Sequence, residues 1–138
     1  MHVAWYQWDD LHTLSDFPVS AGDSVNIVVS LSSNTSGQVI FWNSNQDQTK
    51  TVSLTSSNAL CGQDAQWMVE CDIQGDVPWT VDFTDAVALS SLAATNSAST
   101  PDGAAITIMQ FDNENLTSVT TDGAHMTINY QPVTIVGS

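Results

Sequence analysis

Hydrophobic and polar residues alternate with a period of two along most of the chain, which is the pattern of half-buried β-strands. The segments are short, rich in β-branched and aromatic residues, and separated by turn sequences such as Ala21-Gly22-Asp23 and Asp122-Gly123. They cover residues 3–8, 25–31, 38–42, 49–54, 65–70, 79–83, 86–92, 105–111, 116–120 and 125–130. These segments and the absence of a helical stripe predict an all-β fold, an antiparallel two-sheet β-sandwich. The small and polar residues 93–100 are predicted to form a loop.

The length of 138 residues predicts one domain that spans residues 1–138. The chain is 42% hydrophobic but only 12% charged, so most of its polar surface consists of Ser, Thr, Asn and Gln, as in many secreted β proteins. Its net charge is -14, with Lys50 as the one basic residue beside 15 acidic ones. This charge argues against binding to nucleic acid or to anionic membrane surfaces.

Two glycosylation sequons, at Asn34 and Asn115, fit an extracellular protein. The N-terminus, Met1-His2-Val3, has neither the basic nor the apolar region of a signal peptide, and no apolar run is long enough for a membrane helix. We therefore expect a secreted protein in a mature or truncated form.

The first predicted strand carries an indole on each face. Alternation places Trp5 with Val3 and Gln7 on one face, and Trp8 with Ala4 and Tyr6 on the other. A sandwich strand buries one face only, so the second face lines either water or a ligand groove. Without further information, Trp5 is as easily a core residue as a groove residue.

The segment from Ala65 to Glu70 contains Glu70, the carboxylate whose neighbours best suit a catalytic role. In a strand, Ala65, Trp67 and Val69 point into the core, while Gln66, Met68 and Glu70 share the opposite face. The usual interpretation of such a Glu is a solvent-exposed strand residue.

Four motifs follow one another along the chain: Trp5-Tyr6-Gln7-Trp8, Val19-Ser20-Ala21-Gly22-Asp23, Ala59-Leu60-Cys61 and Ala65-Gln66-Trp67-Met68-Val69-Glu70. Their order and approximate spacing resemble those of the glutamic peptidases, the fungal acid endopeptidases also called eqolisins. The chain resembles this family from Trp5 to about Tyr130.

The resemblance implies a concanavalin-like β-sandwich whose curved sheet forms a groove for a polypeptide substrate. It implies that Glu70 is the general base that activates water, and that Trp5, Gln7, Gln66 and Met68 lie on the groove face. In this family a Gln side chain stabilises the oxyanion, and neither a cofactor nor a metal is needed. The residue types suit acidic pH, where a His base is protonated but a carboxylate still accepts a proton.

The chain departs from the family pattern in three places. The catalytic Gln of the family lies upstream of the strand that contains Trp5, and no equivalent is present in this sequence. The Asp-Phe that follows the catalytic Glu is replaced by Cys71-Asp72, and Gln7 stands where the family has Glu. Either a separate N-terminal light chain supplies the missing Gln, or Gln7 replaces it, or the chain is a non-catalytic relative that binds a polysaccharide or peptide.

Two cysteines, Cys61 and Cys71, permit a disulfide between them. The resemblance also allows a second arrangement, in which Cys61 pairs with a cysteine upstream of this chain.

Other site chemistries have weaker support. His2, His12 and His125 lie in no zinc-binding spacing, and the chain contains no nucleophile elbow. Glu70 and Asp72 form a carboxylate pair of the kind found in glycosidases, but such neighbours are common. Residues 112–115 are better explained as a solvated turn than as a calcium site.

The acidic composition predicts a pH dependence of stability. Like-charge repulsion among the carboxylates is expected to raise many of their pKa values in the folded state, so that acidification from neutral pH stabilises the fold. Thermal melts are expected to give a higher Tm at about pH 4 than at about pH 7. The opposite order of the two Tm values would contradict this expectation.

Overall fold

The computed structural model describes residues 2–62, 64–69, 78–90 and 97–132, and all regular secondary structure within these ranges is β-strand. The chain divides into two compact units, residues 1–63 and residues 64–138. In the described ranges, no helix is long and apolar enough to cross a membrane. The single domain that the length predicts stays a prediction.

The first unit contains a hairpin and a three-stranded antiparallel sheet. The hairpin pairs β1 (His2–Gln7) with β2 (Leu11–Val19). The sheet consists of β3 (Val25–Ser33), β4 (Ser36–Asn43) and β5 (Gln48–Thr55), in the order β3-β4-β5. Its central strand therefore pairs on both sides, with Phe41 opposite Ile27 on one side and opposite Lys50 on the other.

The core of this unit joins the hairpin to one face of the sheet. Leu14 and Phe17 of β2 are buried together with Val39 and Phe41 of β4, and the two Phe rings lie 5.9 Å apart in a tilted arrangement. Half-buried residues surround this cluster: Ala4, Tyr6, Val19, Val25, Val52 and Leu54. Burial of each of these four large side chains stabilises the fold by about 1.5 to 3 kcal/mol. The cluster is therefore the main stabilising contact of the unit.

Strand β2 was missed by the alternation pattern because of an irregular register. Ala4 pairs with Leu14 but Val3 pairs with Pro18, so β2 bulges between these positions. The bulge puts Leu14 and Phe17, three residues apart, on the same buried side, and it accommodates Pro18, which cannot donate a ladder hydrogen bond.

A buried amide closes the far end of this core. Asn43 is fully buried, and its Nδ2 donates to the Pro18 carbonyl (3.1 Å) and to Asp23 Oδ2 (2.8 Å). Its Oδ1 accepts from the backbone N–H groups of Asn45 and Gln46. Because every polar atom of this amide has a partner, its burial is not penalised.

Asp23 holds the turn that precedes β3. Its carboxylate also accepts from the Ser20 N–H (2.9 Å), its own N–H donates to the Ser20 carbonyl, and Gly22 takes the positive φ of 86° that the turn requires. The hydrogen bonds from Asn43 and Ser20 lower the pKa of Asp23 below its ordinary value of 3.8.

The second unit is organised around an antiparallel sheet in the order β11-β12-β6. These strands are β6 (Trp79–Phe83), β11 (Thr117–Asp122) and β12 (His125–Tyr130). Met126, Ile128 and Tyr130 of β12 are buried, and the Tyr130 ring stacks on Trp79 with centroids 5.3 Å apart. The alternation of the sequence predicted all three strands because each has one face that is less exposed than the other, buried in β12 and half-buried in β6 and β11.

The remaining strands of this unit form two short antiparallel pairs. They are β7 (Ala88–Ser90) with β8 (Ser97–Ser99), and β9 (Gln110–Phe111) with β10 (Glu114–Asn115). Asp112 and Asn113, between β9 and β10, have φ values of 50° and 65°, as the primed turns of tight hairpins require. The solvated turn predicted for residues 112–115 is therefore a hairpin.

Three local predictions were wrong. Residues 65–69 were predicted as strand but form no regular element, and residues 105–109 lie outside the two-residue strand β9. The loop predicted at residues 93–100 contains β8. Residues 91–92, which end the predicted strand 86–92, lie outside the described residues.

The expected rise of carboxylate pKa values does not hold for three aspartates. The pKa is lowered for Asp23, for Asp16 by its hydrogen bond with Lys50, and for Asp9 by hydrogen bonds from Ser56 and Asn58. A carboxylate with a lowered folded pKa stabilises the fold above its unfolded pKa, and that contribution is lost as the pH falls through the folded pKa. The stabilisation from these three groups is therefore present above about pH 4 and is lost at lower pH, whereas repulsion among ionised carboxylates weakens as the pH falls.

The Asp23→Asn variant tests this local effect. The substitution removes the charge that accepts from Asn43 and Ser20, so we expect the variant to be less stable than the parent at about pH 6. The difference should become smaller at about pH 2.5, because Asp23 loses its charge as the pH falls through its folded pKa. Urea unfolding at both pH values measures it.

Asp47→Asn is the matched control because it makes the same charge change at an exposed turn residue with a φ of 49°, which Asn tolerates. An Asp23→Asn penalty of equal size at both pH values would show that the carboxylate charge is not what stabilises the turn.

Candidate functional site

The two faces of β1 differ clearly in exposure. Ala4 and Tyr6 pack against the core cluster, and the Tyr6 ring stacks on His12 of β2 at 5.0 Å. Trp5 is 53% exposed, and Gln7 on the same face is also exposed. The structure thus brings two of the predicted site residues together on the face of β1 that points away from the core.

An open, mostly apolar groove lies beside β1. It has a volume of about 330 Å³, and β3 contributes Ile27, Val29 and Leu31 to its wall. Further lining residues include Trp5, Tyr6, Gln7, Trp8 and Leu60. A groove of this size, apolar with few polar groups, has the properties of a ligand or peptide site.

The groove exists because β3 extends beyond the cover of the hairpin. The side chains of Ile27, Val29 and Leu31 are on the face of the sheet that carries the buried Val39 and Phe41, as the register shows. They are nevertheless 59%, 66% and 48% exposed. The sequence did not reveal this groove, because exposed and buried apolar strand residues give the same pattern.

Close packing fixes the backbone at one end of the groove. Gly37 of β4 faces Leu31, and a Cβ atom at this position would lie 2.7 Å from the Ser30 carbonyl oxygen. Any side chain here would push β3 away from β4, so the groove wall depends on this glycine.

A polar network positions the segment that carries Leu60. The Trp8 indole donates to the Asn58 carbonyl (3.0 Å), and Asn58 Nδ2 donates to Asp9 Oδ1 (2.6 Å). The Leu60 N–H donates to the Asn34 carbonyl at 2.8 Å. Trp8, predicted only as a residue of the other face, therefore connects β1 to the Ala59-Leu60-Cys61 motif.

The remaining predicted site residues belong to the second unit. Gln66 and Met68 are exposed, Met68 to 57%, whereas Trp67 and Val69 between and after them are half-buried. This alternation from Gln66 to Val69 agrees with an extended segment even though residues 64–69 form no strand, but Ala65, predicted to point into the core, is exposed. Glu70, the predicted general base, lies outside the described residues.

The predicted modification sites remain predictions. Cys61 is exposed, and Cys71 lies outside the described residues. Asn34 and Asn115 are both exposed, Asn34 in the turn between β3 and β4 and Asn115 in β10, where its Oδ1 accepts from Gln110 Nε2. Both sequons are accessible to a glycosyltransferase.

A polar cluster that the sequence analysis did not find lies on the exposed face of β12 and β6. Thr127 Oγ1 donates to Asp82 Oδ1 at 2.7 Å, and His125 Nε2 lies 3.2 Å from Thr127 Oγ1 and 3.9 Å from Asp82 Oδ1. His125 and Asp82 are exposed and Thr127 is half-buried, so the three side chains fit cross-strand pairing better than catalysis. Among the residues that the structure describes, no three acidic, His or Cys side chains converge on a metal position.

A comparison with family models matches residues 1–130 to the Peptidase A4 family. Two curated relatives are similar over 92% of this chain. Aspergillopepsin-2 of Aspergillus niger is 33% identical over 135 residues, and scytalidopepsin B of Scytalidium lignicola is 29% identical over 147 residues. The match covers 47% and 54% of these relatives, so the chain spans about half of their length.

Solved structures agree with these sequence matches. The crystal structure of aspergilloglutamic peptidase from Aspergillus niger superposes with a TM-score of 0.77 at 29% identity, covering 93% of this chain and 79% of that chain. Scytalido-glutamic peptidase with a peptide-based transition-state analogue gives a TM-score of 0.69 at 24% identity, covering 93% and 68%. These matches confirm the resemblance to glutamic peptidases and the all-β sandwich fold.

The opposite exposure of Trp5 and Tyr6 gives a test of the faces of β1. Tyr6→Ala removes a ring that packs on the core and on His12, and we expect it to cost about 2 to 4 kcal/mol of unfolding free energy. Trp5→Ala removes an exposed ring and should cost less than about 1 kcal/mol. Urea unfolding of the two variants measures the difference, and equal losses would show that Trp5 is a core residue.

Proposed function

The chain belongs to the Peptidase A4 family, and from this membership we propose that it is part of an acid endopeptidase of the glutamic type. The family match over residues 1–130 is the observation that carries the proposal. The substrate class is polypeptide, as expected for a peptidase family. Because the chain spans about half of its curated relatives, the complete active site is proposed to need a further segment.

Glu70 is proposed as the general base. Its carboxylate takes a proton from water, and the resulting hydroxide oxygen attacks the peptide carbonyl carbon while the carbonyl electrons move to oxygen. When this intermediate collapses, the C–N bond breaks and the proton held by Glu70 passes to the leaving amine. This assignment is supported by the position of Glu70 at the end of the Ala65-Gln66-Trp67-Met68-Val69-Glu70 motif.

The oxyanion donor is proposed to come from a companion segment, such as an N-terminal light chain. Two observations on the first unit support this assignment. Among the described strands β1 pairs with β2 alone, and the apolar groove beside β1 leaves Ile27 and Val29 more than half exposed. A strand added beside β1 would cover this surface and bring a Gln side chain next to Trp5 and Gln7.

Four side chains, Trp5, Gln7, Gln66 and Met68, are proposed to hold the substrate rather than to react. Trp5 offers an exposed flat surface for an apolar substrate side chain, and the exposed Gln7, Gln66 and Met68 offer hydrogen bonds and a flexible apolar contact. We also propose an extracellular location, which the accessible sequons at Asn34 and Asn115 support.

A non-catalytic binding module for polysaccharide or peptide is the second candidate function. The exposed indole of Trp5 beside an apolar groove favours it, since such a surface binds a ligand without any catalytic group. The two candidates differ in whether Glu70 matters: a base is essential for hydrolysis and irrelevant for binding at the groove.

Peptide release from denatured protein at about pH 3.5 tests the proposal. Loss of an oxyanion donor typically reduces turnover by about 10²- to 10³-fold, so the 138-residue chain alone should be nearly inactive. Addition of a companion segment taken from a glutamic peptidase, with its Gln, should restore activity. Glu70→Gln, nearly isosteric but unable to act as a base, should abolish the restored activity.

Asp72→Asn in the restored pair is the matched control, because it removes a neighbouring carboxylate and should leave hydrolysis largely intact. Full activity of the chain alone would assign the donor to Gln7 or another residue of this chain. Restored activity that survives Glu70→Gln would exclude Glu70 as the base, and peptide binding without hydrolysis in the pair would favour the binding module.

A further inference from the structure

The sheet β3-β4-β5 has an outer face that points away from the β1–β2 hairpin. Val39 and Phe41 of β4 pack against the hairpin, so Gln38, Ile40 and Trp42, which alternate with them, lie on the outer face. The register places an outer-face residue of β3 and one of β5 beside each of these three. The groove beside β1 belongs to the inner face, so the two surfaces are separate.

This outer face carries no charge. Lys50 is the one titratable residue in the three strands, and it lies on the inner face, opposite Phe41, where it forms an ion pair with Asp16. The outer positions of β5 are exposed hydroxyl residues: Thr49, Thr51, Ser53 and Thr55. The net charge of -14 repels anions, and cations are drawn to the carboxylates elsewhere, so the ligand that suits this face is uncharged.

Trp42 forms one end of the outer face. Its side chain is 47% exposed, with Asn26 beside it on one strand and Thr49 on the other. Ile40 is the next outer residue of β4, and Val28, 55% exposed, lies opposite it, so the three form a small apolar patch. Among the described residues, the Trp42 indole N–H has no hydrogen-bond partner. The indole therefore offers a ligand both a flat apolar ring and an available donor.

Hydroxyl and amide groups cover the other end of the outer face. An open cavity of about 360 Å³ lies there, and its lining includes Ser30, Ser32, Ser36, Gln38, Ser53 and Thr55. Ser36 Oγ lies 2.8 Å from Ser32 Oγ and 2.7 Å from Ser33 Oγ, within hydrogen-bond distance of both. Because these hydroxyls hold one another in place, a ligand that bonds to them does not have to order them first.

The shape and chemistry of the outer face specify its ligand. From Ser36 to Trp42 the face follows β4 for roughly 20 Å, at about 3.3 Å per residue. A matching ligand is extended, uncharged and rich in hydroxyl groups, with an apolar side that fits an indole. An unbranched neutral glucan has these properties, because its sugar rings have apolar C–H faces and hydroxyl groups at their edges. A protein partner fits less well, since protein interfaces are depleted in Ser.

We propose that the outer face of β3-β4-β5 binds an unbranched, neutral, β-linked glucan. One sugar ring stacks on Trp42, and the following sugars lie along β4 towards Ser36, where Gln38 and the Ser hydroxyls exchange hydrogen bonds with the sugar hydroxyls. This site goes beyond the proposed peptidase function and does not involve the Trp5 groove. Its role is to hold the protein on a polysaccharide surface.

Native gel electrophoresis with hydroxyethylcellulose, a soluble neutral β-glucan, tests the proposal on the full chain produced without glycosylation. The glucan should retard the parent, and Trp42→Ala should raise the dissociation constant about tenfold or more. This substitution leaves the net charge of -14 unchanged, so mobility without the glucan should equal that of the parent. Trp5→Ala removes an indole of similar exposure, 53%, from the groove and should leave the retardation intact.

The indole N–H signals of the five tryptophans give a second measurement on the parent protein itself. In a proton–nitrogen correlation NMR spectrum, cellohexaose should shift the assigned Trp42 signal and leave that of Trp5 in place. Absence of retardation, retardation lost in Trp5→Ala but kept in Trp42→Ala, or a Trp42 signal that does not move would each overturn the proposal. Neither measurement requires hydrolysis, so a failed peptidase assay leaves the result unaffected.

Discussion

The contact between the β1–β2 hairpin and the central strand β4 determines most of what the first unit presents to solvent. Phe17 and Leu14 reach Phe41 and Val39 only because β2 bulges beside Pro18, which places two residues three apart on one side. Since this contact fixes which face of β1 is inside, it also fixes Trp5 outside. The same contact covers β4 and leaves β3 uncovered, so the groove and the exposed edge have one cause.

Carboxylates in this protein are stabilised mainly without cations. With a single Lys in the sequence, an ion pair is available to few of the 15 acidic residues. Neutral amide and hydroxyl groups donate hydrogen bonds to the carboxylates in place of cations. The donors are Asn43 and the Ser20 N–H at Asp23, Asn58 at Asp9, and Thr127 at Asp82. Neutral donors keep their hydrogen bonds over a wide pH range, but each carboxylate loses its charge in acid. The fold is therefore expected to balance weakened repulsion against weakened hydrogen bonds as the pH falls.

Strands with one buried face could be predicted from the sequence, and strands shaped by irregular contacts could not. The alternation of β12 reflects its buried residues Met126, Ile128 and Tyr130, so the predicted bounds of this strand matched the observed ones. Strand β2 was not predicted because its bulge interrupts the alternation. The outward position of Trp5 followed from alternation once the core face was known. The groove could not be predicted, because only three-dimensional packing shows that Ile27 and Val29 are uncovered. Glu70 was found by its motif alone, and its role stays a prediction.

The uncovered side chains of β3 bear on how a companion segment of the proposed peptidase would bind. A segment beside β1 would cover the side chains of Ile27, Val29 and Leu31 on one face of the sheet. Covering the groove removes apolar surface that would otherwise favour irregular association. The same segment would thus stabilise the first unit under the acidic conditions in which a carboxylate base is suited to act.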